Sequence, residues 1–357
     1  MNRILVSSVL ALVILNSAGC TRKDVHARAI EHNASGVAYL EANELDKAKG
    51  RFELALEFNS KYPEPYNNLG IVFLRRGENE AAYEYFSRAA DLNPDFAEAR
   101  NNQGWCLLQK GDAVAAEKRF SSALAVDPDY INARFNLASA LLAQSKLPEA
   151  RDQLLKVLEV KPVLHEARVM LAVVDDRLGR KADAIRGLET VISEEPGHED
   201  ANYNLGVILF RLGRCSEAVP FLNSALSANP ENADAASNLA ACLLQSGRTV
   251  EAEKVVERTL GSHRDHPYSN FILGLVKFEA GNFAAAFRHF AVCAESGHIG
   301  ALFWMGESSL AMGKRGAAAL CYKRFLESPD SKDLPETVEA SARLKEIQNI
   351  ENRDITR

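Results

Sequence analysis

The sequence predicts an all-α fold of stacked helix pairs, and three observations carry that expectation. An alanine returns every thirty-four positions, at Ala48, Ala82, Ala116, Ala150, Ala184, Ala218, Ala252 and Ala286. Glycines and prolines punctuate each period at fixed offsets. Alanine is abundant and long β-branched runs are scarce, which favours helix. A self-similar period of this length marks a repeat array. Its 357 residues would otherwise serve for two ordinary domains.

Each companion of the alanine has a physical reason. Twelve residues upstream stands Gly36, Gly70, Gly104, Ala138, Ala172, Gly206, Ala240 or Gly274. Two helices approach closely only where side chains are small, so this residue belongs on a first helix facing the alanine on a second. Four residues downstream stands Phe52, Phe86, Phe120, Leu154, Leu188, Leu222, Val256 or Phe290. One turn further along the second helix, this large residue fills the space beside the contact. Five residues upstream of the alanine stands Gly77, Gly111, Gly179, Gly213, Gly247 or Gly281, with Asn43 and Ser145 as substitutes. A residue there takes the left-handed conformation that ends the first helix. Twelve residues downstream, Pro94, Pro128, Pro162, Pro196 or Pro230 closes the second helix, because proline cannot continue a helix interior. Each unit is thus helix A, a tight turn, helix B and a stop, with an apolar flank that only the next unit covers.

These residues resemble the tetratricopeptide-repeat (TPR) family, which implies a right-handed superhelical solenoid. The resemblance covers about 29–332, with repeats starting near 29, 63, 97, 131, 165, 199, 233, 267 and 299. The ninth carries Gly306, Gly313, Ala318 and Tyr322 in the small, turn, small and large positions. Residues 333–357 read as a capping helix and frayed tail: Leu334-Pro335-Glu336 starts a helix, and Ala340, Leu344 and Ile347 share one face. No linker is long enough to divide the array.

The N-terminus differs in kind. Arg3 precedes a mainly apolar run, Ile4 to Leu15, followed by small residues and a charged stretch from Thr21. This is the pattern of a secretory signal, and the run is short against the ~20 residues a spanning helix needs. Ala18-Gly19-Cys20 resembles the lipobox of bacterial lipoproteins, although Ser17 stands where leucine is usual. The resemblance implies a signal peptide over 1–19, lipid on Cys20 and a lipid-anchored tether over 20–28. Thr21, where an aspartate would retain the protein in the inner membrane, implies the outer membrane and its periplasmic face.

In the TPR family, helix A builds the concave wall, and position six of each unit faces the groove. Here it holds Asn68, Asn102, Asn136, Asn204 and Asn238. An asparagine amide both donates and accepts, so a row of them can pair with a peptide backbone of any sequence. Repeat five breaks the row with Met170 and carries Asp175-Asp176-Arg177; either the ladder splits there or this unit has its own contact. Position two is acidic in Glu64, Glu98, Glu166, Asp200 and Asp234. Positions nine and twelve are largely apolar, as in Trp105 and Leu108, Val207 and Phe210, and Leu275 and Phe278. The expected partner is an extended protein segment, apolar and basic or neutral. Chaperone-binding TPRs instead clamp a terminal carboxylate with Lys and Arg, and the matching positions here carry acids and apolar residues.

No convergent acid, base and nucleophile set appears, so no enzyme, cofactor, metal or small-molecule substrate is expected. The net charge of -6 and the lack of a basic stripe argue against nucleic acid. His263 and His266 stand three apart beside Pro267 with no third ligand nearby, which reads as a surface turn. Cys106, Cys215, Cys242, Cys293 and Cys321 are odd in number and irregular in spacing, so no disulfide framework is expected. The architecture resembles lipid-anchored TPR proteins of pilus assembly, the pilotins and their tight-adherence counterparts. That implies a scaffold assisting an envelope machine such as a pilus or secretion system. An exopolysaccharide-export or cell-wall scaffold, and an adaptor for a periplasmic protease, are the alternatives.

Overall fold

The computed structural model describes residues 27–355, with side chains for 27–350. The predicted signal peptide and Cys20 lie outside the described residues. Among those described, every regular element is helical and none is a strand.

Eighteen helices form nine antiparallel-type pairs joined by short turns. The first four pairs are α1 (Ala27–Glu41) with α2 (Leu45–Phe58), α3 (Pro63–Arg75) with α4 (Asn79–Leu92), α5 (Ala97–Gln109) with α6 (Ala113–Val126), and α7 (Ile131–Ala143) with α8 (Leu147–Val160). The fifth is α9 (His165–Arg177) with α10 (Lys181–Glu194). Then come α11 (Glu199–Arg211) with α12 (Cys215–Ala228), α13 (Ala233–Gln245) with α14 (Thr249–Ser262), α15 (Pro267–Glu279) with α16 (Phe283–Glu295), and α17 (Gly300–Ala311) with α18 (Arg315–Glu327). A 3₁₀ turn, Pro329–Ser331, leads to α19 (Glu336–Ile355).

The chain divides into two compact units, one ending at Gly187 and the other beginning at Leu188, so the division falls inside α10 and not at a linker. In each unit a helix packs on its successor, and A helices also meet the A helix of the next repeat: α5 with α7 in the first, α11 with α13 and α13 with α15 in the second. The expected tether ends early, because α1 already begins at Ala27. The expected frayed tail is also shorter, because α19 continues to Ile355. In the second unit α19 buries Ala340 and Ile347 against Phe303, Tyr322 and Phe325, while Lys345, Glu346 and Gln348 face out.

The recurring core contact differs in one respect from the sequence expectation. The glycine on helix A lies against the large residue of helix B, whereas the sequence expectation places it facing the alanine. A β-carbon added to Gly36 or Gly70 would stand 2.5 Å from Cε1 of Phe52 or Phe86, and one on Gly104 or Gly274 would stand 2.6 Å from Cε1 of Phe120 or Phe290. Tyr322 leans on Gly306 in the same way. These rings are fully buried, so they have nowhere to retreat. Where helix A carries Ala138 or Ala240 instead, the residue sixteen further on is the smaller Leu154 or Val256. Gly206 faces a leucine, Leu222, whose Cγ would lie 2.6 Å from an added β-carbon.

The turns follow from backbone sterics. The seven glycines that end helices A have φ between 72° and 89°. Asn43 and Ser145 hold the same left-handed place at φ 56° and 59°, the two non-glycine residues with positive φ among those described. Asparagine tolerates that region better than serine does. At the other end of repeats three to six, the fourth residue of helix A reaches back to a carbonyl six residues upstream. Arg100 Nε donates to the Pro94 carbonyl (2.9 Å), Arg134 and Arg168 to those of Pro128 and Pro162 (both 2.5 Å), and Asn202 Nδ2 to that of Pro196 (2.9 Å). These bonds satisfy carbonyls that the end of helix B leaves open.

Gly104→Ala should destabilise the protein by about 1–3 kcal/mol through overpacking on Phe120. The double variant Gly104→Ala/Phe120→Leu should recover a large part of that loss, because it recreates the Ala138/Leu154 arrangement. Urea unfolding of the three variants in a double-mutant cycle checks this; additive losses would show that the two positions are not in contact.

Candidate protein-binding surface

Three of the five predicted asparagines are not open to solvent. Asn68, Asn102 and Asn136 are 2%, 7% and 4% exposed. Each donates its amide to position five of the preceding repeat: Asn68 Nδ2 to Asn33 Oδ1 (3.0 Å), Asn102 Nδ2 to Asn67 Oδ1 (3.0 Å) and Asn136 Nδ2 to Asn101 Oδ1 (2.9 Å). Asn101 Nδ2 in turn donates to Asn102 Oδ1 (3.3 Å). Both residues of each pair lie on helices A, so the row is a polar seam tying repeats one to four of the first unit together. A buried amide must find partners, and here the neighbouring repeat supplies them. Asn33, Asn67 and Asn101 were missed by the sequence reading; the doublets Asn67-Asn68 and Asn101-Asn102 were the available signal.

In the second unit the position-six residues behave differently. Asn204 is half-buried and donates to the Asp200 carbonyl of its own helix (2.7 Å), and Asn238 is also half-buried. Position five of the preceding repeat has changed: thirty-five residues before Asn204 and Asn238 stand Val169 and Tyr203, neither of them an asparagine.

The apolar positions of helices A divide as well. Ile71 is buried, whereas Leu74, Trp105 and Leu108 of the first unit are half-buried and offer part of their surface. In the second unit Val207, Phe210, Leu275 and Phe278 are half-buried. Phe278 meets Trp304 edge-on, with ring centroids 5.4 Å apart, and Trp304 is itself half-buried. Each unit therefore presents a strip of partly exposed apolar and aromatic side chains along its A helices.

The repeat pattern was compared with known families. Two models described as tetratricopeptide repeat match residues 107–172 with 209–270, and 67–118 with 169–233. Together they run without a gap from residue 67 to residue 270, more than half of the chain. The chain belongs to the tetratricopeptide-repeat family. TPR arrays of this kind are protein-interaction scaffolds. Among solved structures, a tetratricopeptide repeat protein from Parabacteroides merdae is 20% identical, with a TM-score of 0.51 over 71% of this chain and 98% of its own. PilW, a widely conserved type IV pilus biogenesis factor, is 23% identical, with a TM-score of 0.54 over 61% of this chain and 99% of its own. Identities this low speak for the TPR fold alone. No curated protein matches the sequence.

The charges beside the TPR strips are held in place. Burial pushes the Glu98 carboxyl above its ordinary value, with Asp127 adding to the shift. Asp234 lies 3.4 Å from His266 Nε2, and Glu231 lies 3.3 Å from His263 Nε2. The two histidines thus each face an acid thirty-two residues upstream. Cys106, Cys215, Cys242, Cys293 and Cys321 are buried free thiols. Burial raises Cys106 and Cys293 to about 12, which keeps both protonated and poorly nucleophilic.

Asn102→Ala should cost about 1–3 kcal/mol, because it leaves Asn67 Oδ1 and Asn101 Nδ2 without their partner in a buried seam. Asn238→Ala, at a half-buried position, should cost less. Urea unfolding of the two variants measures the difference; equal losses would remove the distinction between the two units' asparagines.

Proposed function

We propose that the chain is a non-enzymatic scaffold that holds extended protein segments on its helix-A surface, and that it does so anchored by lipid on Cys20 at the periplasmic face of the outer membrane. On this reading it assists assembly of an envelope machine such as a pilus or secretion system. The observation that carries the binding role is the strip of half-buried apolar side chains on successive A helices, Leu74, Trp105 and Leu108 in one unit and Phe210, Leu275 and Phe278 in the other. Half-buried rings on a rigid support give contact area at little entropic cost. Carboxylates at position two, among them Glu98 and Asp234, make the rim acidic, which favours a neutral or basic segment. Asn238, and Asn204 when it gives up its bond to the Asp200 carbonyl, offer amides to a partner's backbone; Asn68, Asn102 and Asn136 serve it only through the rigidity of the seam they form.

The likeness of fold to PilW supports the pilus reading as an analogy of architecture. The lipid anchor rests on Ala18-Gly19-Cys20 after the short apolar run. Among the described residues no helix is long and apolar enough to cross a membrane.

Two measurements test the proposal. Trp105→Ala combined with Phe278→Ala should reduce cross-linked capture of envelope partners, identified by mass spectrometry, by roughly tenfold or more while leaving helical circular dichroism intact. Unchanged capture would remove the strip from the binding surface. Separately, Cys20→Ala should shift the protein from the membrane fraction to the soluble fraction and abolish incorporation of labelled fatty acid. Persistent incorporation would overturn the assignment of Cys20.

A further inference from the structure

Repeat five departs from its neighbours at one position that opens a cavity. In four repeats the side chain at position four of the repeat, on helix A, meets the one nineteen positions later on helix B. Arg51 Nη1 lies 3.5 Å from His32 Nδ1, and the rings of Tyr66 and Tyr85 are 6.5 Å apart. Arg134 Nη1 donates to Gln153 Oε1 at 3.1 Å, and His289 Nδ1 lies 3.0 Å from Asn270 Oδ1. In repeat five the pair is Arg168 and Gly187. Glycine offers nothing to Arg168, whose Nε is buried and has no hydrogen-bond partner among the described residues. The missing side chain leaves a cavity of about 240 Å³.

The cavity is strongly cationic, although the whole chain is acidic. Arg151, Arg168, Arg180 and Arg186 line it, against two carboxylates, Asp175 and Asp183. Buried Asp175 is held by Arg151 Nε at 2.7 Å and by Arg180 Nε at 3.3 Å. Asp183 pairs with Arg186 and with Arg180, which hold its carboxyl below the usual range and keep it ionised. The two anions therefore order three of the guanidinium groups, Arg151, Arg180 and Arg186, leave Arg168 without a carboxylate, and leave a formal excess of two positive charges. Each guanidinium has five N–H donors in a fixed fork, more than the two carboxylates can occupy.

We propose that this cavity in the first unit binds a phosphate group, with Arg168 as a direct ligand and Gly187 as the residue that makes room for it. A phosphate dianion balances the excess charge, whereas a single carboxylate leaves half of it. Its tetrahedral oxygens also suit donors converging from different helices, as Arg151 on α8, Arg168 on α9 and Arg186 on α10 do. The Asp175-Asp176-Arg177 segment that interrupts the repeat pattern thereby acquires a role: Asp175 orders two of the arginines. The site is independent of the apolar strip.

Isothermal titration of the full chain with inorganic phosphate, sodium chloride keeping the ionic strength constant, tests the proposal. Binding at one site should weaken by about tenfold or more in Gly187→Gln, which restores the partner that repeat four has in Gln153, and in Arg168→Gln. Gly187→Gln should fold, because a β-carbon there meets Ala172 Cβ at an ordinary 3.7 Å. Gly187→Ala, which leaves most of the cavity, should retain binding. Glycerol 1-phosphate as a second titrant distinguishes free phosphate from a phosphate ester: tighter binding of the ester assigns the site to an ester, and tighter binding of inorganic phosphate assigns it to the free ion. No saturable binding of either titrant, or equal binding by wild type and Gly187→Gln, overturns the proposal.

Discussion

The close approach of paired helices, made possible by a glycine or alanine under a buried ring or leucine, is the constraint on which the rest of the structure depends. A ring at Phe52, Phe86 or Phe120 occupies the place where a β-carbon on helix A would stand. That contact sets the spacing inside each pair. The spacing in turn fixes which side chains of one repeat meet those of the next. The array accommodates a larger residue on helix A where the residue on helix B is smaller, as in Ala138 with Leu154. The overpacking or cavity cost of a one-sided change is a sizeable fraction of the marginal stability of folded proteins.

Polar groups then discriminate between repeats that share this frame. The asparagine seam of repeats one to four binds each repeat's amide to the next and removes Asn67, Asn68, Asn101, Asn102 and Asn136 from water. In repeats six and seven the same position-six amides stay half-buried, and position five of the preceding repeat is Val169 or Tyr203 and no longer a second asparagine. One residue type thus ties repeats together in the first unit and stays half-exposed in the second. The difference comes from the neighbour, not from the asparagine itself.

The candidate binding chemistry follows the same division. Apolar side chains that the inter-helix contacts leave half-covered give each unit a strip for an extended partner, with acids beside it. Repeat five carries its charges elsewhere, around the space left by Gly187. A scaffold with a general protein-binding surface and one localised cationic pocket has two physically different recognition elements, one driven by apolar contact and the other by charge.

The helix pairs, the left-handed turns at Asn43 and Ser145, and the small and large positions of the core were all legible in the amino-acid sequence. They depend on local sterics and on a period that repeats them many times. Tertiary structure alone decided which amides were free and where a cavity opened. An asparagine on helix A can turn to a ligand, to its own helix or to the repeat thirty-five residues away, and these choices have similar local cost. Gly187 reads as an ordinary helix glycine until its position is placed beside Arg168. Hydrogen-bond partners and unfilled volume belong to pairs of surfaces brought together by folding, so one strand of sequence does not specify them.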